Sequence, residues 1–469
     1  MRINPSWNRR PYTPLNRPER ALQPLICRLA PQRMRILGEI LDNGAPDAPH
    51  MLLWRERGGE AWQELALNGA DTFCLDGLRE DAEYELCAVR SRDRSCRSPV
   101  RPVRCGSFPG TVVNYLHPAD GQYAFSGQYL CSPSLLRLPD GALLASMDVY
   151  AGGAPQNLTL LFRSEDGGAS WRYLTDLFPC FWGQLFLCGG RLYMLGVSDE
   201  YGDLLIGRSE DGGASWTAPT VLLRGSSDCR TSGCHRAPMP VLEWEGRIWT
   251  DLQYGAWPSH EMDDAVLSAP ADCDLLDASN WVCSGFWRDR EHFSECAALT
   301  PGRSGGIEGS VVVCEGGLYD FLRYDRGKWL LLRLDGHAPE AAPVLEDVVG
   351  LEATPSKAEV RFDAQSGWFY TVCSRALEQP RTERNLLSLA RSRDLRRWEM
   401  VCDLLDYRDA DPALNGFQYA SFLFDGDDLL YLSRTACCGA HNYHDSNAVT
   451  FHRLTRFREI NPEKNGKSS

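Results

Sequence analysis

The sequence predicts an all-β protein: a six-bladed β-propeller carrying a small N-terminal β-sandwich. Three observations predict it. The nonapeptide RSEDGGASW occupies 163–171 and returns at 208–216, a period that matches one four-stranded propeller blade. Six pairs of short apolar runs, each joined by a Gly-containing or polar turn, are spaced between about residues 106 and 459 and read as strand, turn, strand. The first hundred residues alternate differently, as short strands without the hairpin rhythm.

Taken in chain order, residues 1–21 form a basic, Pro-rich arm with no apolar core, so a flexible or clamping arm is expected and not a secretory leader. Residues 22–107 carry HMLLWRERGG, DTFCLDGLREDAEYELCAVRSRD and RPVRCGS, the strands of the sandwich. Within them LREDAEYELCAVR (78–90) resembles the fibronectin type III pattern through Leu78 and Tyr84, a pair like that of the tyrosine corner. That resemblance implies a spacer, or a contact that builds a homo-oligomer. Pro109-Gly110 marks the boundary. Residues 108–460 hold the propeller hairpins LLRLPDGALLASM (135–147), LFLCGGRLYML (185–195), VLEWEGRIWTDL (241–252), VVVCEGGLYDFL (311–322), VRFDAQSGWFYTV (360–372) and FLFDGDDLLYLS (422–433). A seventh blade follows if 112–127 closes a further sheet. Residues 461–469 read as a disordered tail.

Inside each nonapeptide lies S-x-D-x-G-x-x-W: Ser164, Asp166, Gly168, Trp171, and Ser209, Asp211, Gly213, Trp216. Asp and Ser can bond turn amides, Gly takes φ > 0, and Trp folds back over the blade edge. Shortened copies follow, Ser392 and Asp394 with Trp398, and Ser268 to Trp281 with an insertion. These segments resemble the Asp-boxes of sialidase-type propellers, where they are structural.

Net charge is −14 over 469 residues, with 43% hydrophobic residues. An acidic surface argues against nucleic acid or a membrane as partner, and no apolar run reaches the ~20 residues of a membrane helix. A local cluster of cations still outweighs distant surface charge, which salt screens beyond ~10 Å. The eighteen cysteines lack framework spacing and read as reduced core residues, so a cytoplasmic location is expected.

A propeller site belongs where the innermost strands converge. Polar residues at the starts of those strands are Ser132-Pro133-Ser134, Gln184, His235-Arg236, Glu308, Lys357 and Gln418-Tyr419; Asp148, Tyr201, Arg323 and Arg434 end second strands nearby. The loop 439–447 adds His441, Asn442, His444 and Asp445. Bland readings stand beside these. His235 is either a site residue or a hydrogen-bonded core histidine. Lys357 and Arg434 either bind ligand or pair with neighbouring carboxylates. The spacing His441-x-x-His444 admits a structural zinc with Cys437 or Cys438, or a loop network without metal.

Sialidases open blade one with Arg-Ile-Pro, whose Arg belongs to a carboxylate-clamping triad; here the tripeptide is Cys131-Ser132-Pro133, so that chemistry lacks its anchor. The propeller is closer to the ulvan lyases and related rhamnosyl-glucuronate hydrolases and lyases, through SPSLLRLPDGALLASMD, HRAPMPVLEWEGRIW, IEGSVVV, GFQYASFLFDGDDLLYLSRTA and AHNYHDSNAVTFHR. In the lyases a Tyr precedes the His-x-Ala-Pro motif, an Arg lies sixteen residues on, and a His precedes the blade-two turn. Cys234, Thr250 and Cys188 stand there in this chain, which removes the base and the uronate-neutralising cation. The expected function is a glycoside hydrolase removing a terminal sugar from an acidic oligosaccharide, without a cofactor. His235, Glu308, Tyr419 and Asp148 would be catalytic, and Arg236, Arg323, Lys357, Gln418, Arg434 and His441 would bind substrate. An altered lyase and a non-catalytic glycan-binding propeller are the alternatives.

Overall fold

The computed structural model describes residues 16–462 except 227–230, 260 and 303–304. Residues 1–15 of the expected arm and 463–469 of the expected tail lie outside the described residues. The described residues form eight antiparallel sheets, and no helix among them is long and apolar enough to cross a membrane.

Six sheets are the propeller blades. Their innermost strands are Tyr129–Arg137, Phe181–Cys188, Gly233–His235 continued by Leu242–Trp244, Ile307–Cys314, Val360–Asp363 and Gly416–Asp425. No seventh blade forms among the described residues. The stretch expected to start one instead places Thr111–Tyr115 beside Ala448–Leu454, as the outermost strand of blade six. The ring is thereby closed by pairing both ends of the propeller chain in one sheet, which removes a free edge.

Hydrophobic burial follows the blades. Every seam is filled by apolar residues: Leu143 and Leu430 belong to a six–one cluster, Leu144 and Leu192 to one–two, and Leu195 and Leu252 to two–three. Trp249 and Val311 belong to three–four, Trp329 and Phe369 to four–five, and Val372 and Phe422 to five–six. Both faces of each blade are therefore covered, and its strands read as nearly continuous apolar runs. The repeated nonapeptides cap hairpins at the rim in matching fashion. Ser164 Oγ accepts Gly168 N–H (2.9 Å) while Asp166 Oδ1 accepts Ser170 N–H (2.8 Å); Ser209 and Asp211 do the same for Gly213 and Ser215 at the same distances.

The sandwich packs Leu25–Gln32, Arg35–Leu41 and Thr72–Asp76 against a sheet centred on His50–Glu56 and Glu83–Arg90. Tyr84 Oη accepts Arg79 N–H at 2.9 Å. The sandwich meets the propeller through buried groups: Arg28 Nε donates to Val113 O at 2.7 Å, and Arg101 pairs with Asp120 at 2.7 Å. None of the described cysteines is in a disulfide.

Candidate active site

Four inner strands share one backbone device. In each, two residues oppose one on the neighbouring strand, a β-bulge between Cys131 and Ser134, Phe181 and Gln184, Ile307 and Ser310, and Gln418 and Ser421. The first bulged residue is left-handed: Ser132 (φ 47°), Trp182 (52°), Glu308 (59°) and Tyr419 (53°). Such conformations are strained for non-glycine residues and persist where the surroundings fix them. The local sequence permits it, with a small residue (Pro133, Gly183, Gly309, Ala420) next and Ser or Gln after it. Gly309 is required by packing, because a Cβ there would sit 2.2 Å from Asp320 Oδ1. The blade-four bulge is clamped from blade three: Asp251 Oδ2 accepts Gly309 N–H (2.8 Å) and Gln253 Oε1 accepts Glu308 N–H (3.0 Å).

All four bulge residues line one cavity of about 310 Å³ at the channel mouth, with His235, Trp257, Glu200, Arg323, Arg384, Arg434, Tyr150 and His444 around them. A larger groove of about 580 Å³ lies at the rim beside Asp166 and His452, but the bulges and the guanidinium groups do not face it.

At the centre, Tyr419 Oη donates to Glu308 Oε1 at 2.9 Å and accepts from Arg323 Nη1 at 3.2 Å. Arg323 Nε is 3.0 Å from Glu308 Oε2, an ion pair without hydrogen-bond alignment, so Oε2 takes no hydrogen bond from the protein. Burial pushes the Tyr419 phenol above its usual value even though Arg323 pulls it down. Three guanidinium carbons surround its ring, Arg434 at 5.2 Å, Arg384 at 5.8 Å and Arg323 at 5.9 Å. Arg384 bonds Gln418 Oε1 and Pro355 O, and Arg434 bonds His444 O and lies 3.3 Å from His444 Nδ1. Neither has a carboxylate partner among the described residues. Burial, with the charges of Arg323 and Arg434, lowers Arg384 to about 10. Glu200 accepts from Gln156 Nε2 at 3.1 Å, and burial raises its carboxyl.

Of the residues expected from sequence, His235, Glu308, Tyr419, Arg323 and Arg434 come together in the cavity; Asp148, Arg236, Lys357, Gln418 and His441 do not line it. Asp148 occupies the same register as Arg323 and Arg434, but its short side chain turns sideways to take Trp182 N–H (2.9 Å) and Thr159 Oγ1–H (2.5 Å). It fixes the blade-two bulge. Arg236 is wholly buried on Ala237 O, Met239 O and Thr250 Oγ1. Lys357 lies 3.6 Å from Glu359, and burial lowers its ammonium. Gln418 serves the site indirectly by holding Arg384. His441 stacks on Tyr129 at 5.3 Å and shares Asp445 with His444. Among the described residues no group of three or more His, Cys, Asp or Glu could hold a metal ion, so the zinc considered for His441 and His444 finds no third ligand. Cys234, Thr250 and Cys188 are buried and none lines the cavity.

Sequence reasoning missed Arg384, Glu200, Trp182 and Trp257. Trp182 was detectable, because FWGQ repeats the bulge pattern of IEGS and QYAS, whereas the phase used pointed two residues on, to Gln184. Arg384 and Glu200 sit in connections without a repeated signal.

No family model matches the chain, and no curated protein matches it. Solved structures do. An α-L-arabinanase of Penicillium chrysogenum, complexed with arabinobiose, is 14% identical with a TM-score of 0.50, over 75% of this chain and 98% of that one. A GH93 α-L-arabinofuranosidase of Fusarium graminearum is 13% identical with a TM-score of 0.48, over 75% and 98%. A protein of unknown function from Dyadobacter fermentans covers 93% of this chain and 99% of its own at 12% identity and a TM-score of 0.39. At such identities the likeness to the arabinanase is one of fold, the β-propeller.

Proposed function

We propose that the protein is a glycoside hydrolase acting on an acidic sugar, with Tyr419 as nucleophile, Glu308 as its base and Glu200 as the acid. One observation carries this reading: a Tyr–Glu hydrogen bond of 2.9 Å set among three guanidinium groups, two of them without carboxylate partners among the described residues. A phenol kept neutral by burial is a poor nucleophile alone and needs an adjacent base. Glu308 receives its proton as Tyr419 Oη attacks the anomeric carbon, while Glu200, whose carboxyl burial raises, gives its proton to the leaving oxygen. Water then attacks the anomeric carbon as Glu200 takes its proton, the bond to Tyr419 Oη breaks, Glu308 returns its proton to that oxygen, and configuration is retained.

A tyrosine in place of a carboxylate also favours a particular substrate. If the reacting carbon itself bears a carboxylate, an anionic nucleophile ~4 Å away would meet repulsion of about 4 kcal/mol at an effective dielectric of 20. A neutral phenol avoids it, and Arg323, Arg384 and Arg434 would seat the substrate carboxylate. The substrate class is therefore a glycoside of a 2-keto-3-deoxy sugar acid. The arginine absent at Cys131 is replaced in this reading by Arg434.

The test is a panel of 4-methylumbelliferyl glycosides: of N-acetylneuraminate and ketodeoxyoctonate, of uronic acids, and of neutral arabinose. Release from the keto-acid glycosides with retention, and a 3-fluoro sugar trapped on Tyr419 by mass spectrometry, supports the reading. Turnover confined to arabinosides or uronides overturns it. Sugar binding with no turnover anywhere would make this a glycan-binding propeller.

A further inference from the structure

The three arginines of the cavity all come from one half of the ring: blades four to six supply Arg323, Arg384 and Arg434 together with Glu308 and Tyr419. Blades one to three supply the uncharged Ser132, Trp182, His235 and Trp257, beside Cys131, Tyr150 and the carboxyl of Glu200, and contribute no cation. On this arginine-free side two polar atoms are buried, have no hydrogen-bond partner among the described residues, and belong to residues that line the cavity: Ser132 Oγ and His235 Nδ1. Each residue is 1% exposed. A buried donor or acceptor without a partner is costly, and two on one wall point to a ligand that pairs with both.

His235 stands edge-on between the indoles, with ring centroids 4.4 Å from Trp182 and 5.3 Å from Trp257. The backbone that carries both indoles is fixed: the Trp182 amide N–H donates to Asp148 Oδ2 at 2.9 Å and the Trp257 amide N–H to Tyr201 Oη at 3.1 Å. Burial, reinforced by the charge of Arg323, pushes His235 down to about 3. Its ring is neutral at neutral pH and so offers one donor and one acceptor. A hydroxyl of Ser132 offers both roles. Apolar walls with a few convergent, uncharged hydrogen-bonding groups suit the carbon faces and hydroxyls of a sugar.

We infer that Ser132, Trp182, His235 and Trp257 form a second subsite, which reads uncharged hydroxyl groups of the substrate while the arginine side holds its anionic group. The inference rests on the function proposed above and assigns His235 to recognition, whereas the sequence had placed it among the catalytic groups. The ligand must then carry its charge at one end and its hydroxyls at the other, and it lies across the channel mouth in one orientation.

Free N-acetylneuraminate and its monodeoxy analogues at each hydroxyl are titrated calorimetrically into the wild-type protein, into Ser132→Ala and into His235→Asn. Wild type should bind at least one deoxy analogue roughly 5- to 150-fold more weakly than the parent, the range expected for an orphaned buried hydrogen-bonding group. Ser132→Ala or His235→Asn should erase that difference. Against 4-methylumbelliferyl N-acetylneuraminate the same variants should raise KM by a similar factor and change kcat little. Equal affinity of wild type for every analogue, or discrimination that survives both variants, overturns the subsite and leaves the proposed hydrolase standing. A collapse of kcat in His235→Asn with KM unchanged overturns it too, since His235 would then act on the reacting atoms. Failure of the wild type to bind the parent sugar or cleave its glycoside removes the proposed function, and the subsite with it.

Discussion

Ser421 Oγ accepts the backbone N–H of Leu135 at 3.1 Å, across 286 positions of sequence. The same contact recurs between other blades: Ser134 Oγ accepts Leu185 N–H at 3.1 Å, and Ser310 Oγ accepts Val360 N–H at 2.9 Å. Each serine comes two residues after a left-handed bulge residue. The bulge that turns one residue into the cavity thus also aims the next serine at the adjoining blade. At the six-to-one seam this inner bond complements the outer closure by Thr111–Tyr115.

Ser421→Ala should therefore lower stability by about 1–3 kcal/mol, because the fully buried Leu135 amide loses its acceptor. Urea unfolding measures it. An unchanged midpoint would mean that the outer strand closes the ring unaided.

Glu200→Gln should slow release of poor leaving groups far more than good ones, since only the former need a proton as the bond breaks. A natural oligosaccharide should lose roughly 10²–10⁴-fold in kcat, the usual contribution of a general acid, and a 4-methylumbelliferyl glycoside much less. Equal losses for both would remove Glu200 from the acid role.

Arg384 and Arg434 crowd one another and Arg323 without carboxylate partners of their own among the described residues, so a bound anion should relieve them. N-acetylneuraminate should raise the thermal midpoint, and the gain should shrink between low and high salt. Arg434→Met should cut affinity for this acid while leaving that for a neutral sugar unaltered. Equal losses for acidic and neutral sugars would reject an anion-selective site.

The share of stability that His235 and His444 contribute should fall as the pH drops below about 6.5, while buried carboxyls such as Asp148, raised to about 8 by burial, act in the opposite direction. The unfolded chain binds protons at His235 and His444 near that value, whereas the folded chain holds His235 down to about 3 and, through Arg434 and burial, His444 to about 4. At these two groups the unfolded state binds more protons, so their contribution to stability rises with pH across the window. For His235 the slope approaches about 1.4 kcal/mol per pH unit; His444, partly open to solvent, adds less. His235→Asn should flatten the dependence of the thermal midpoint between pH 6.5 and 4. A slope unchanged in that variant would mean His235 takes up a proton when folded.

The propeller was legible because its turns are local. The nonapeptide turns are built from contacts within five residues, and hairpin spacing repeats with each blade. The blade count needed long-range information, because nothing in 111–115 declares that it pairs with 448–451. The site was half legible for the same reason. Glu308 and Tyr419 were found as polar residues in apolar strands, and Arg323 and Arg434 as strand-ending cations. Asp148 misled: its register matched theirs, but reach decides which side chain enters the cavity, and a carboxylate three bonds shorter than a guanidinium bonds the neighbouring blade instead. Arg384 comes from an irregular connection and is aimed by Gln418, a pairing across 34 positions that no periodicity announces.

Because the backbone, and not the side chain, delivers each bulge residue to the cavity, the four positions behave as interchangeable sockets. Ser132, Trp182, Glu308 and Tyr419 differ in every chemical respect yet share φ within about twelve degrees and leave the strand at the same point of its blade. The strain of holding them is met by the seams, so exchanging the occupant of one socket asks little of the scaffold. Ser132, the smallest, is the position at which larger side chains would narrow the mouth and reset the range of sugars admitted, with the reacting pair on the opposite side untouched.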